Sequence, residues 1–345
     1  MWYEFFIDHS LIPRNILIKF IQYFLKRHLA KFSNNKKDIL KIQKNFSLKH
    51  SKGQLAKSTK DANKQHYEFP IYFFKTVLGT NLKYSGSYWP NNSSDLNEAE
   101  ITSLNNYLER AQIKSGESIL ELGCGWGSLS IHLASKFPKN KLIAVTNSID
   151  QFRHIKKVGE NKNLNNLEVI HSDINNFDPK IKFDKIISIE MFEHMYNISK
   201  LLKLTHSWLN QNGKLFFQVF SHKSYPQDFD NIKSSWMSKY FFTNGMMPYD
   251  GFYKDINSDF VLTDSWTENG THYSKTLYAW LNKLDKNSEE ISYSLASQYK
   301  TKDIKKFINR WKLFFIICAE LFGYKNGTEW RIKQYLFTKE SKNKS

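Results

Sequence analysis

The residues best equipped for chemistry in this chain fall in two short clusters. The first is Glu121-Leu122-Gly123-Cys124-Gly125-Trp126-Gly127, which follows an apolar run and opens a helical stretch. Glycines there let the backbone turn sharply and approach a ligand, and the helix N-terminus favours a polar or negative group. Gly-x-Gly-x-Gly alone says little, but two details sharpen it. A dinucleotide fingerprint wants Gly or Ala one residue further on, where this chain has Ser128. The strand runs into Glu121, an acid that repels a pyrophosphate but can serve a cofactor carrying an amino group. The pattern therefore favours S-adenosyl-L-methionine over NAD. Asp173, after a later apolar run, could hydrogen-bond an adenine amino group. Either acid could instead cap a turn or helix.

The second cluster is Glu190, Glu193 and His194, just beyond another apolar run. Methyl transfer from a sulfonium is an in-line displacement that needs a positioned, deprotonated nucleophile and an absence of water. Two carboxylates and an imidazole can bind an ammonium and accept its proton. The alternative is a buried polar network bracing a helix start.

Elements must bring these clusters together. Short apolar runs at Ser118–Leu122, Lys141–Thr146, Leu167–His171, Phe183–Ile189 and Gly213–Phe220 read as strands. Between them, Leu96–Gln112, Leu129–Phe137, Ile149–Asn161 and Ile198–Leu209 have helical spacing. That alternation argues an α/β fold with a doubly wound, mostly parallel sheet covered on both faces. From Ser221 to Asp259 the rhythm breaks into an aromatic, Met-rich stretch, expected as a lid at about 221–259 over the sheet's ligand-binding edge. Its residues Trp236 to Tyr253 suit a hydrophobic or aromatic acceptor and equally an acyl chain. Phe260–Leu262, a helix over Ser274–Leu284, a long helix over Lys302–Phe322 and a last strand over Trp330–Phe337 complete the pattern.

At 345 residues the chain can bury one substantial core with an accessory region. Its formal charge of +17 directs attention to anionic partners. The basic residues are dispersed and no Asn-Pro-Pro-Tyr-type motif follows the fourth strand, so nucleic acid is not the expected partner. The two cysteines, Cys124 and Cys318, have no metal-ligand spacing, so no metal is expected and a reducing, cytoplasmic location fits. Met1 to Ser33 reads as a basic amphipathic helix, too short and charged to span a membrane. It packs on the core or touches a membrane surface. Residues 34 to 65 read as exposed helix or mobile linker.

Several segments together resemble the cyclopropane-fatty-acid synthase family of methyltransferases: Glu121–Gly127, Val145-Thr146-Asn147-Ser148, Phe192-Glu193-His194 and Tyr84–Trp89. A closer likeness is to its coclaurine N-methyltransferase-like branch, carried by Ile189–Met195, Tyr240-Phe241-Phe242-Thr243 and Ala319–Tyr324. The resemblance implies a class I Rossmann-like methyltransferase over 95–345, with a helical segment over 1–94 closing over the cofactor. It assigns Tyr84 and Ser85 to the cofactor's methionine end, Gly123 and Gly125 to its cradle, Thr146 and Gln151 to the ribose, and Asp173 with Ile174 to the adenine.

In the cyclopropane-forming branch the methyl goes onto an alkene, and a bound bicarbonate takes a proton from the resulting carbocation. By resemblance Glu193, His194 and Tyr273 match its ligands, but Gly86 replaces a cysteine, Gln218 a histidine, and Glu190 what is typically a glycine. A carboxylate beside an anion costs roughly 1 kcal/mol or more even when screened. Cys318 aligns with a family active-site cysteine, although a buried Cys is commonly a small hydrophobe. The expected acceptor is a small hydrophobic amine; the alternative is an unsaturated lipid acyl chain.

Overall fold

The computed structural model describes residues 4–32, 35–57, 70–90, 95–229, 236–242, 244–256, 258–296 and 299–340. Residues 1–3 and 33 of the expected N-terminal helix, 34 and 58–65 of the expected linker, and 230–235, 243 and 257 of the expected lid lie outside them.

Seven strands form the main sheet: β1 (Ser118–Leu122), β2 (Lys141–Thr146), β3 (Leu167–His171), β4 (Phe183–Ile189), β5 (Leu209–His222), β8 (Val261–Glu268) and β9 (Trp330–Thr338). Two short strands, β6 (Gln227–Asp228) and β7 (Met246–Met247), pair separately. The main order is β3-β2-β1-β4-β5-β9-β8. The first five strands pair in parallel, while β9 and β8 pair antiparallel at the far side. The order reverses between β1 and β4, and ligands of open α/β sheets bind in the crevice outside such a switch point. Glu121 lies near the end of β1 and Glu190 directly follows β4. The topology thus sets both candidate acids at that crevice.

Strand periodicity builds a core on each face. Along β5, Phe216 packs with Leu104, Leu108 and Leu129 on one face, and Phe217 with Phe192, Tyr253 and Phe337 on the other. The helices start where side chains supply caps: Asp95 for Leu96–Arg110, Ser148 for Ile149–Asn161, Asn197 for Ile198–Trp208 and Asn269 for Gly270–Lys286. A third, largely aromatic cluster stands beside the sheet. It joins Phe73 and Phe74 of the Ile71–Val77 helix to Trp280, Trp311 and Phe315 of the C-terminal helices.

The N-terminal region is two helices, Glu4–Asp8 and Arg14–Leu29, followed by Lys36–Lys49. Arg310 clamps Asp8 with two hydrogen bonds of 2.7 and 2.6 Å. Leu17, Ile21 and Leu25 pack against the aromatic cluster. The stretch read as exposed helix or linker is anchored: Phe46 is buried on Phe252, and both ring nitrogens of His50 are bonded, to the Tyr196 carbonyl and Asp228. Alternation of apolar residues did not reveal this, because among the described residues only Phe46, His50, Leu55 and Ala56 of the stretch are buried. Among the described residues no helix is long and apolar enough to cross a membrane.

Candidate active site

Two cavities meet at the crevice. One, of about 160 Å³, opens over the glycine loop; the other, of about 340 Å³, lies under the lid and the C-terminal helices. Tyr84, Glu190 and His194 line both.

The first cavity gathers Tyr84, Ser85, Glu121, Gly123, Gly125, Thr146, Gln151 and Ile174. Gly123 has φ +73°, and a Cβ there would meet the Met191 side chain at 2.7 Å. The loop must be glycine at that point for both reasons. Glu121 is buried, accepts a hydrogen bond from the Ser130 hydroxyl, and burial pushes its carboxyl up to about 8. Thr146 donates to the Gln151 carbonyl oxygen at 2.6 Å. The Gln151 amide nitrogen and the Ser128 hydroxyl are buried with no protein partner, and both residues line the cavity. Orphaned buried polar atoms call for a polar ligand. A buried acid, a neutral Thr–Gln pair and these orphans suit a cofactor with an ammonium and a ribose. Asp173 is not among the lining residues; its carboxylate caps its own turn at Asn175, while Ser172 and Ile174 face the space.

The second cavity is walled by aromatic and aliphatic groups, including Phe220, Phe229, Phe242, Trp280, Phe314 and Phe322. Of the lid residues, Gln227, Phe229, Met237, Ser238, Phe242 and Met247 reach it, whereas Phe241 stacks on Phe314 and Met246 and Phe252 belong to the packed core. Cys318 lies in the wall, and burial raises its thiol so that it stays protonated.

Glu190 stands where the cavities join. Its φ is +51°, a left-handed conformation that costs a non-glycine residue about 1–3 kcal/mol. Its carboxylate accepts from the Gly86 N–H at 3.1 Å, the Gln218 amide at 2.9 Å and the Tyr273 hydroxyl at 2.8 Å. Burial raises this carboxyl, and the charge of Lys83 and these donors pull against that rise. The Gly86 N–H reaches Glu190 because the Tyr273 ring packs on Gly86, where a Cβ would lie 2.8 Å from the ring. Gly86, Gln218 and Glu190, the three departures from the cyclopropane-forming pattern, are therefore one hydrogen-bonded unit.

His194 faces Phe242 in a stacked arrangement, and burial lowers its imidazole to about 4, so it is neutral at ordinary pH. Glu193 lines neither cavity. The Phe192–His194 helical turn directs it inward, where it accepts from the Phe220 N–H at 3.3 Å. Burial and the neighbouring Glu190 charge raise its carboxyl well above the usual range. The three residues adjacent in sequence are thus split, with Glu190 and His194 at the junction and Glu193 behind it. Sequence reasoning missed Lys83, Ser128 and the cavity-lining His28; Lys83 carried a signal as a lone charge beside Tyr84-Ser85.

Comparison with known proteins identifies the family and the fold. The family described as mycolic acid cyclopropane synthetase matches residues 54–331. An (S)-coclaurine N-methyltransferase of Thalictrum flavum subsp. glaucum is 35% identical over 343 residues, covering 97% of this chain and 94% of the relative. The crystal structure of coclaurine N-methyltransferase bound to N-methylheliamine and SAH superposes with a TM-score of 0.92 at 33% identity, covering 97% of this chain and 98% of that one. A cyclopropane synthase of Mycobacterium tuberculosis shares the fold, with a TM-score of 0.70 at 20% identity over 83% of this chain and all of that one.

The buried, raised Glu121 carboxyl in the first cavity leads us to expect a pH-dependent cofactor affinity. An ammonium favours the carboxylate, so below about pH 8 binding must expel the carboxyl proton. Affinity for S-adenosylhomocysteine, measured by calorimetry, is expected to rise between about pH 6 and 7.5, by up to about tenfold per unit, with proton release to buffer. Glu121→Gln should weaken binding roughly tenfold or more and abolish the proton release. Unchanged affinity in that variant would remove Glu121 from the cofactor site.

Proposed function

This chain belongs to the mycolic acid cyclopropane synthetase family, and within that family we propose that it transfers a methyl group to a hydrophobic amine. It is an S-adenosylmethionine-dependent methyltransferase. The observation that carries the amine reading is the buried Glu190 carboxylate, held by three donors at the junction of the two cavities. An anion-assisted reaction would have to seat its anion against that carboxylate; an ammonium is drawn to it. The relatives named as N-methyltransferases support the same choice.

When bound, the cofactor supplies a sulfonium methyl for in-line displacement. Glu190 takes the proton of the incoming ammonium, which frees the nitrogen lone pair to attack. Burial makes its carboxylate a stronger base than an exposed one. His194, neutral above about pH 4, offers a ring nitrogen to the amine and adds no positive charge beside it. The aromatic walls of the larger cavity hold the acceptor's apolar body and exclude water. Tyr84, shared by both cavities, orients the reacting groups at their boundary. The proton-accepting form of Glu190 is lost as pH falls through its raised pKa, so turnover should rise with pH on the acid side.

Methyl-labelled S-adenosylmethionine, offered with hydrophobic secondary amines in one reaction and unsaturated phospholipid vesicles in another, separates the readings. Label is expected in the amine, and Glu190→Gln should lower that turnover about a hundredfold or more while leaving cofactor affinity within about threefold. Label in lipid acyl chains would contradict the proposal.

We also propose that the enzyme is cytoplasmic and works beside an anionic membrane surface. Cys124 and Cys318 are free and buried, which suits a reducing compartment. The Arg14–Leu29 helix half-buries one face, through Leu17, Ile18, Ile21 and Leu25, yet exposes Ile16, Phe20 (55% exposed), Tyr23 and Phe24 (62% exposed) on the other. Lys19, Lys26, Arg27 and Lys31 are exposed around them, and no acid occurs between Asp8 and Asp38. A second copy would set like charge on like; an anionic bilayer complements both features. Leu25 and His28 of this helix line the acceptor cavity, so the face adjoins the route of a hydrophobic acceptor. The protein should co-sediment with phosphatidylglycerol vesicles and weakly with phosphatidylcholine ones. The F20E/F24E variant should lose roughly tenfold or more of that binding, and equal binding to both vesicle types would overturn the idea.

A further inference from the structure

Glu190 is the end point of two hydrogen-bond chains that each begin at a cation. The first starts at Lys83, whose ammonium is buried beneath the Tyr84–Gly86 strap. It donates to the Ser85 hydroxyl at 2.9 Å, the Ser85 carbonyl at 3.3 Å and the Gly86 carbonyl. The peptide that carries the Ser85 carbonyl also carries the Gly86 N–H, and that N–H donates to Glu190. One peptide unit therefore accepts from the cation and donates to the carboxylate.

The second chain crosses the sheet. Arg110 donates to the Gln334 carbonyl oxygen at 2.6 Å, Gln334 to the Gln218 carbonyl oxygen at 2.7 Å, and Gln218 to Glu190 at 2.9 Å. Gln218 and Gln334 are directly paired residues of β5 and β9, both fully buried, and Gln334 lines neither cavity. Two carboxamides in the middle of a sheet would ordinarily be a desolvation cost, and here the shortest bond that each donates runs toward Glu190; Gln334 also donates to Glu268 at a longer 3.3 Å. Hydrogen bonds in such a row polarise one another, and both rows favour negative charge at their end.

We propose that Lys83 and the Arg110–Gln334–Gln218 row are positioning elements that fix the orientation of Glu190 and hold it ionised in a buried site. The inference rests on Glu190 being the amine-facing base. Neither cation is itself that base: all three Lys83 donors are directed at strap oxygens, and Arg110 is spent on Gln334 and on Glu268 at 2.5 Å. Burial alone raises the Glu190 carboxyl. Cutting either row removes support for the charged form, so the carboxyl should titrate higher still.

The test uses the full chain carrying carboxyl-¹³C glutamate, with the Glu190 resonance assigned by its loss in Glu190→Gln. Its titration is followed by NMR in the wild type, Gln334→Met and Lys83→Met, the two variants cutting one row each so that failure of one to fold leaves the other. In each variant the Glu190 midpoint is expected to move up by about one pH unit, and the acid limb of kcat/KM for an amine should move with it, while KM for the cofactor in Gln334→Met stays within about twofold. Lower turnover or a lower Tm with the Glu190 midpoint unmoved would show packing roles only and overturn the proposal. The titration needs no acceptor, so it stands or falls separately from amine methylation, which the labelling experiment decides.

Discussion

A carboxylate taken out of water must be answered by donors, and the three that answer Glu190 come from three distant parts of the chain. The Gly86 N–H belongs to the N-terminal strap, Gln218 to β5 and Tyr273 to the Gly270–Lys286 helix. Satisfying this one group ties together the strap over the cofactor cavity, the sheet beside it and the Gly270–Lys286 helix. Breaking such a set leaves buried polar groups unpaired, at about 1–3 kcal/mol each. Glu190 also occupies a left-handed backbone position that a glycine would accept freely. A residue that is both strained and desolvated fits the role proposed for its carboxylate at the junction.

The switch point explains why the two acids serve different ends. Glu121 closes β1 inside the first cavity, where burial keeps its carboxyl protonated up to about pH 8 until a cation arrives. Glu190 follows β4 and reaches both cavities. One topology thus sets a buried acid in the cofactor cavity and, across the crevice, a second acid at the junction with the larger cavity, the base of the proposed reaction. The aromatic cluster at the side of the sheet then supplies what a parallel sheet edge lacks, a dry wall for an apolar acceptor.

Much of this was legible in the sequence because strong local signals govern it. The runs Ser118–Leu122, Lys141–Thr146, Leu167–His171 and Phe183–Ile189 became strands with those bounds, since buried parallel strands are continuous apolar segments between turn signals. The glycine loop was recognisable because its spacing meets a steric need. What stayed hidden depends on direction in space. Nothing in Glu190-Met191-Phe192-Glu193-His194 shows that a helical turn sends Glu193 behind the cavities. Asp173 looked equivalent to its neighbours, yet its carboxylate folds back on Asn175. Gln334 sits in an otherwise ordinary β9 segment, and only its pairing with Gln218 across β5 gives it a role. The stretch after Lys36 looked like solvent-exposed chain because few of its residues, Phe46, His50, Leu55 and Ala56, are buried and anchor it.

The most direct test of the central claim is a crystal structure with S-adenosylhomocysteine and a hydrophobic secondary amine both bound. The account predicts the amine nitrogen within hydrogen-bond reach of the Glu190 carboxylate, about 2.6–3.2 Å, with the acceptor's rings among Phe229, Phe242 and Phe314 and the nitrogen facing the first cavity. An acceptor nitrogen held by other groups, with Glu190 bonded only to Gly86, Gln218 and Tyr273 and out of reach of the ligand, would contradict it.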